Sequence, residues 1–195
     1  LPMLLAAIQT VYTFESAVGH VRLPHGNQEY LGVLKGEIPE QFVVDELGVQ
    51  YWVSPQLSKD AGLFLDMRPL RGWLSERGWK GQSVLNLFCY TGAFSVSAAY
   101  HGASQVTSVD LSKHYLQRAM RNFELNELSV DDHRFVESDS FQALDRLRRK
   151  QAQFDVVIAD PPSFSHSAQG TWSVENDLKR LVIACLRVLK PGGTL

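Results

Sequence analysis

From Ser83 onward the chain repeats one unit: a short apolar run ending on a polar residue, then a stretch with apolar side chains three and four residues apart. Ser83–Leu87, Gln105–Asp110, Arg134–Glu137 and Phe154–Asp160 read as strands. Gly92–Tyr100, Lys113–Asn126, Phe141–Lys150 and the stretch marked by Leu178, Leu181, Val182, Cys185 and Leu189 read as helices. In the second of these, Leu116, Ala119, Met120 and Phe123 share one face. The run "FDVVIAD" is apolar enough for a central strand covered on both sides. Lys190-Pro-Gly-Gly is expected to end the last helix and lead into a fifth strand. This alternation predicts an α/β fold: a doubly wound parallel sheet with crossover helices.

Ahead of that pattern, residues 1–55 read as a β-rich extension, and residues 56–195 as the main domain. Phe42 and Val44, then Val49, Tyr51 and Val53, alternate around Asp45-Glu46-Leu47-Gly48, which signals a hairpin. The segment "LSKDAGLFLDMRPLRGW" links the two parts, and Pro69 sits early in a helix running to Arg77. The chain stops as the fifth strand begins, so further strands are expected past Leu195.

A net charge of -2 gives no global sign of nucleic-acid binding. The densest basic cluster, Arg146, Arg148, Arg149 and Lys150, also suits a solvated helix end. Two cysteines, Cys89 and Cys185, imply neither a disulfide framework nor a metal site, and fit a reduced, cytoplasmic protein. The apolar run Leu1–Ile8 is too short to span a membrane and lacks a basic leader.

Ligands of such sheets sit beyond the carboxyl ends of the strands. The tips here are Asn86 with the turn "FCYTG", Asp110, Ser138-Asp139-Ser140, and Asp160-Pro161-Pro162-Ser163-Phe164. Asp110 lies where an acidic side chain can accept from both ribose hydroxyls, or it caps the next helix with Ser112. Leu111 can pack on a base or in the core. Asp139 can accept from the exocyclic amine of adenine or cap a helix. Gly92 permits close backbone approach. A nicotinamide dinucleotide normally needs Gly-x-Gly-x-x-Gly for its pyrophosphate, and this turn has only Gly92. S-adenosylmethionine keeps the adenosine and has no phosphate.

The stretches "NLFCYTGAF", "SVDLS", "SD" and "DPPSF" resemble, in order, the motifs of class I S-adenosylmethionine-dependent methyltransferases, which are Rossmann-like. With "DAGLFLDMR", "RNFELN" and "DPPSFSHS", the chain from about Glu37 resembles bacterial 23S ribosomal RNA methyltransferases. Among these are the guanine-N7 half of the bifunctional large-subunit enzyme and the cytosine-C5 enzymes. The resemblance implies S-adenosylmethionine as cofactor and large-subunit ribosomal RNA as substrate. It implies that Asn86, Phe88, Thr91 and Gly92 line the methionine end, that Asp110 and Leu111 hold ribose and adenine, and that Asp139 and Ser140 meet the adenine edge. Phe64, Asp66 and Arg68 would close the pocket. Arg68 either pairs with the cofactor carboxylate or is an exposed charge at a helix start. Tyr90 stands where much of the wider class has Gly.

The acceptor atom dictates further residues. Pyrimidine C5 needs a cysteine that adds to the ring; neither Cys89 nor Cys185 adjoins Asp160 in sequence, and a nucleophile after the fifth strand would lie past Leu195. An exocyclic amine suits an Asp-Pro-Pro-aromatic loop, although Phe164 comes one place later than usual. Guanine N7 already has a free lone pair and needs only positioning. Asp160, Pro161 and Phe164 are therefore the catalytic candidates: Asp160 to orient guanine, Pro161 to stiffen the loop, Phe164 to stack or to anchor in the core. His166 is either an RNA contact or solvated. A noncatalytic module binding the cofactor and RNA is the rival reading.

Overall fold

The computed structural model describes residues 2–22, 28–56, 61–167 and 170–195. The chain divides into two units, Leu1–Val44 with Trp52–Phe64, and Asp45–Tyr51 with Leu65–Leu195. Within the linker, residues 57–60 lie outside the described residues.

The first unit opens with a helix that the sequence pattern did not announce, α1 (Pro2–Gln9), formed by the leading apolar run. β1 (Ala17–Arg22) and β2 (Gln28–Lys35) then pair antiparallel, with irregularities at Ala17/Val18 and Gly19/His20. The expected hairpin follows as β3 (Phe42–Glu46) and β4 (Val49–Val53). Its turn is shorter than the four residues anticipated: Asp45 and Glu46 belong to β3, and Leu47 and Gly48 alone make the bend, at φ 59° and 82°. Two left-handed residues give the twist that closes a two-residue hairpin, a role usually signalled by Asn-Gly. The Asp45 carboxylate accepts from the Gly48 N–H at 3.2 Å and steadies the turn.

In the second unit, α2 (Arg68–Arg77) begins with Pro69 in its first turn, as expected. Arg71 on this helix is buried and grips the equally buried Glu46 through two hydrogen bonds of 2.6 and 2.9 Å. Burial on that scale is tolerable only because both charges are paired, in a bidentate geometry. Tyr51 is buried as well, and its hydroxyl donates to the Ala93 carbonyl.

The sheet strands are β5 (Ser83–Leu87), β6 (Gln105–Asp110), β7 (Arg134–Glu137) and β8 (Phe154–Ala159), separated by α3 (Ala93–Tyr100), α4 (Lys113–Leu125) and α5 (Ser140–Arg149). A small antiparallel hairpin, β9 (Phe164–Ser167) and β10 (Gly170–Ser173), precedes α6 (Val174–Leu186) and β11 (Leu189–Thr194). The five sheet strands run in the order β11-β8-β5-β6-β7, and every pairing is parallel. Strand polarity of side chains sorts the two faces. Leu85, Leu87, Val109 and Val157 pack with Leu144 of α5 and with Leu181 and Cys185 of α6. On the other face the Asn86 amide donates to the Ser95 hydroxyl of α3 at 2.9 Å, and Ser108 donates to the same oxygen at 2.8 Å. Helices on both faces make the sheet doubly wound, with the reversal of strand order between β5 and β8.

One expected boundary moves. Lys190-Pro-Gly-Gly lies within β11 rather than ahead of it; α6 has already ended at Leu186. Val188 is buried, and its carbonyl accepts from the Phe154 N–H, so the strand path begins earlier than the glycines. Pro191 cannot donate to the ladder, and the register breaks between Leu189 and Thr194.

Candidate active site

At the tip of β5 the turn residues Phe88, Tyr90 and Gly92 all have positive φ, at 55°, 52° and 76°. For the two aromatic residues this conformation costs free energy, and surrounding structure must hold it. Three bonds do so: Cys89 N–H donates to the Val109 carbonyl (3.0 Å), Gly92 N–H to the Cys89 carbonyl (2.8 Å), and Tyr90 N–H to an Asp110 carboxylate oxygen (2.8 Å). The Tyr90 ring rests edge-on against Tyr115 at 4.5 Å between centroids. The turn therefore keeps a left-handed path without glycine at residue 90.

Gly92 is required for a reason of packing. A Cβ there would lie 2.7 Å from the Cβ of Ala119, a fully buried residue of α4. Asn122, one turn further along α4, donates to the Thr91 carbonyl at 2.9 Å, and Thr91 is itself buried. Asn126 closes α4 and bonds both the N–H and the carbonyl of Gln50, each at 2.8 Å. One helix thus fixes the β5 turn and the tip of the β3–β4 hairpin. Spacing of the two asparagines by four residues was the signal for this; "RNFELN" had been noticed only as part of a resemblance.

Asp110 serves two turns at once. One carboxylate oxygen takes the Tyr90 N–H and the other the Ser112 N–H at 2.9 Å, while the cap of α4 is Ser112, whose hydroxyl accepts from Tyr115 N–H. The Leu111 N–H is a further donor to Asp110, and an ionised carboxylate has about four acceptor positions, so some acceptor capacity remains. Burial raises the Asp110 pKa, and the backbone donors act against that rise. Leu111, the next residue, is 46% exposed, so it is not a core residue but an apolar surface at the strand tip. Asp139 caps α5, one oxygen accepting from the N–H groups of both Phe141 and Gln142, and Ser140 behind it is buried. Asn86 is buried with its amide committed to Ser95. Phe88 stands against the Trp172 ring at 5.8 Å. These residues could hold a nucleoside: an acidic side chain with acceptor capacity left, an exposed aliphatic surface beside it, and a turn held in place by hydrogen bonds.

The tip of β8 carries the second group of residues. Asp160 is exposed at the rim, and its pKa is raised first by partial desolvation and then by the negative charge of Asp66. Asp66 sits in a single helical turn, Leu65–Met67, just before the exposed Arg68. The upstream "LDMR" segment and the "DPPSF" loop, 94 residues apart by the numbering of Asp66 and Asp160, are thus electrostatic neighbours. Phe164 is 56% exposed and so is no core anchor. Phe64 is also exposed and belongs to the first unit. The His166 side chain lies outside the described residues.

Sequence reading missed Trp172. Its ring is buried, its indole N–H donates to the Pro162 carbonyl at 2.7 Å, and it packs against both Phe88 and Phe141. This one side chain fastens the Asp160-Pro161-Pro162 loop to the β5 turn. A lone Trp in the polar stretch "SAQGTWSVEN" was the available signal.

The cysteines are unsuited to nucleophilic work. Cys89 is buried, and its thiol is pushed far up, first by desolvation and then by the Asp110 charge. Burial pushes the Cys185 thiol up to about 11. Among the described residues no group of three or more His, Cys, Asp or Glu could hold a metal, and no helix is long and apolar enough to cross a membrane.

With this geometry established, similarity to known proteins is informative. A profile of S-adenosylmethionine-dependent methyltransferases matches residues 8–195. Ribosomal RNA large subunit methyltransferase K/L of Hahella chejuensis is 45% identical over 154 residues, 78% of this chain and 21% of that protein. Ribosomal RNA large subunit methyltransferase K of Neisseria meningitidis serogroup B is 40% identical over 162 residues, 82% of this chain and 46% of that one. The crystal structure of SMU.776 complexed with SAH aligns with a TM-score of 0.88 and 36% identity, covering 98% of this chain and 50% of that one. The chain spans between a fifth and a half of the length of these relatives. The match along nearly the whole sequence has one meaning: the chain belongs to the S-adenosylmethionine-dependent methyltransferase family.

Proposed function

We propose that this chain methylates a base of large-subunit ribosomal RNA, with guanine N7 as the acceptor, and that it works in the cytoplasm. The names of the two relatives at 40% and 45% identity support the RNA class. The observation that carries the choice of base is the exposed Asp160 at the tip of β8, within electrostatic reach of Asp66 and followed by the exposed Phe164. A carboxylate at that tip can accept from the N–H donors on the Watson–Crick edge of guanine. A base held by that edge presents its N7 side elsewhere, with the lone pair free.

S-adenosylmethionine supplies an electrophilic methyl group on a sulfonium. The chain's own contribution is to bind, orient and exclude water, the effects that dominate a displacement of this kind. Asp110 would hold the ribose and Leu111 the adenine, with Asp139 and Ser140 at the adenine edge. Phe88, Thr91 and Gly92, backed by Asn86, would shape the methionine end, and Arg68 would meet its carboxylate, with Asp66 just before it. Asp160 orients the acceptor base, Phe164 offers a face for stacking, and Pro161 stiffens the loop that Trp172 clasps. Neither Cys89 nor Cys185 is suited to a covalent route.

The test combines labelled methyl transfer to undermethylated ribosomal RNA with mass spectrometry of the nucleoside product. 7-Methylguanosine is the expected product. A 5-methylpyrimidine or an N-methylated exocyclic amine would overturn the choice of atom, and no transfer to RNA would overturn the reading. In the same assay Asp160→Ala should reduce turnover more than affinity for S-adenosylmethionine; equal losses would make its role structural.

A further inference from the structure

The acceptor base must be part of a long polyanion, yet the tip residues described above present mainly carboxylates. A cluster of positive charge lies on the α5–α6 face. There the two helices enclose a groove of about 460 Å³, floored by Phe141, Leu144, Ile183 and Ala184. Its rim carries Arg148 from α5 and Lys179, Arg180 and Arg187 from α6 and its cap. Asp145 is the acidic residue in the lining, and its charge is answered by Arg148 at 2.9 Å and Arg149 at 2.7 Å. Lys179 and Arg187 are exposed and have no ion-pair partner among the described residues.

A helix end can explain the basic residues that close α5. It cannot explain Lys179 and Arg180, which sit in the middle of a 13-residue helix. Arg180 is also preorganised, its guanidinium lying 4.2 Å above the centroid of the Phe141 ring. Phe141 in turn packs on Trp172, the residue that clasps the Pro162 carbonyl. The groove is therefore connected, ring by ring, to the loop that carries Asp160.

We infer that the α5–α6 groove is a binding site for the RNA phosphodiester backbone, holding the strand that flanks the acceptor nucleotide. Lys179 and Arg187 contact phosphates, and Arg180 bridges from the groove to the catalytic loop. The inference rests on the RNA reading given above. Against a net charge of -2 over these 195 residues, this face is a local concentration of positive charge.

The test uses the full chain, the double variant Lys179→Gln/Arg187→Gln and the conservative Lys179→Arg. Measured quantities are KM for a ribosomal RNA fragment, its salt dependence, and Kd for S-adenosylmethionine. The double variant should raise KM for RNA about tenfold and flatten the slope of log KM against log salt by roughly 1 to 2, as for two lost phosphate contacts. Its cofactor Kd and kcat should be unchanged, and Lys179→Arg should behave as the unaltered chain. An unchanged KM and slope would overturn the inference while leaving the RNA reading intact. An unaltered chain that methylates no RNA would overturn both. Equal retention of a polyglutamate peptide and RNA of matched charge would assign the groove to an acidic protein and also overturn it.

Discussion

Replacing Gly92 with alanine isolates the most demanding contact at the site. Two costs are separable. A left-handed φ of 76° is unfavourable for alanine by ~1–2 kcal/mol. The new Cβ would also lie 2.7 Å from the Cβ of Ala119 and 3.4 Å from its Cα, and overpacking of a buried helix contact costs ~1–3 kcal/mol. The sum is roughly 2–5 kcal/mol. Urea unfolding of Gly92→Ala should show that loss. Repeating the substitution in an Ala119→Gly background should remove the steric part and leave ~1–2 kcal/mol, although Ala119→Gly itself costs ~1 kcal/mol in helix propensity. The coupling energy from this cycle is then about 1–3 kcal/mol. An equal cost in the two backgrounds would refute the claim that α4 dictates the glycine. So would a Gly92→Ala loss under ~0.5 kcal/mol, the range typical of an indifferent surface position.

Three other outcomes are expected. Asp66→Asn should shift the acid limb of the methylation pH profile to lower pH, because the Asp66 charge helps to raise the Asp160 pKa and the ionised carboxylate is the form that accepts from a base; an unmoved limb would show that the two groups do not interact in the working enzyme. Trp172→Phe keeps an aromatic ring but loses the bond to Pro162, so kcat should fall while stability falls by only ~1 kcal/mol, and an unaffected kcat would mean that the loop needs no clasp. Cys89→Ser should retain methylation, since a buried thiol with a raised pKa supplies no thiolate; a folded but inactive variant would reopen the covalent route.

The parts of the fold legible in the sequence were those with one cause. β5 and β6 occupy the residues that the apolar runs marked, because a strand covered on both faces has no other pattern available; β7, an edge strand with no buried residue, also lies where the alternation put it. The polar tips were legible for the same reason: Asp110 and Asp160 interrupt runs that would otherwise continue. What stayed hidden depends on pairs of distant residues. Arg71 reads as a solvent-facing charge until Glu46, 25 positions earlier, is beside it. Phe88 and Tyr90 do not look like left-handed residues, since their conformation is held by Asp110 and Val109 from the neighbouring strand. β9 and β10, four residues each and mostly polar, have no periodicity long enough to register. Asp139 was read as either an adenine contact or a cap, and it is a cap at least: one of its oxygens is taken by α5.

Titration calorimetry of S-adenosylmethionine against the unaltered chain and Asp110→Ala probes the pocket itself. A saturable site in the unaltered chain, weakened at least tenfold, or about 1.4 kcal/mol, by the substitution is the predicted result. Identical affinities in the two proteins would contradict it, and would move the cofactor away from the tip of β6.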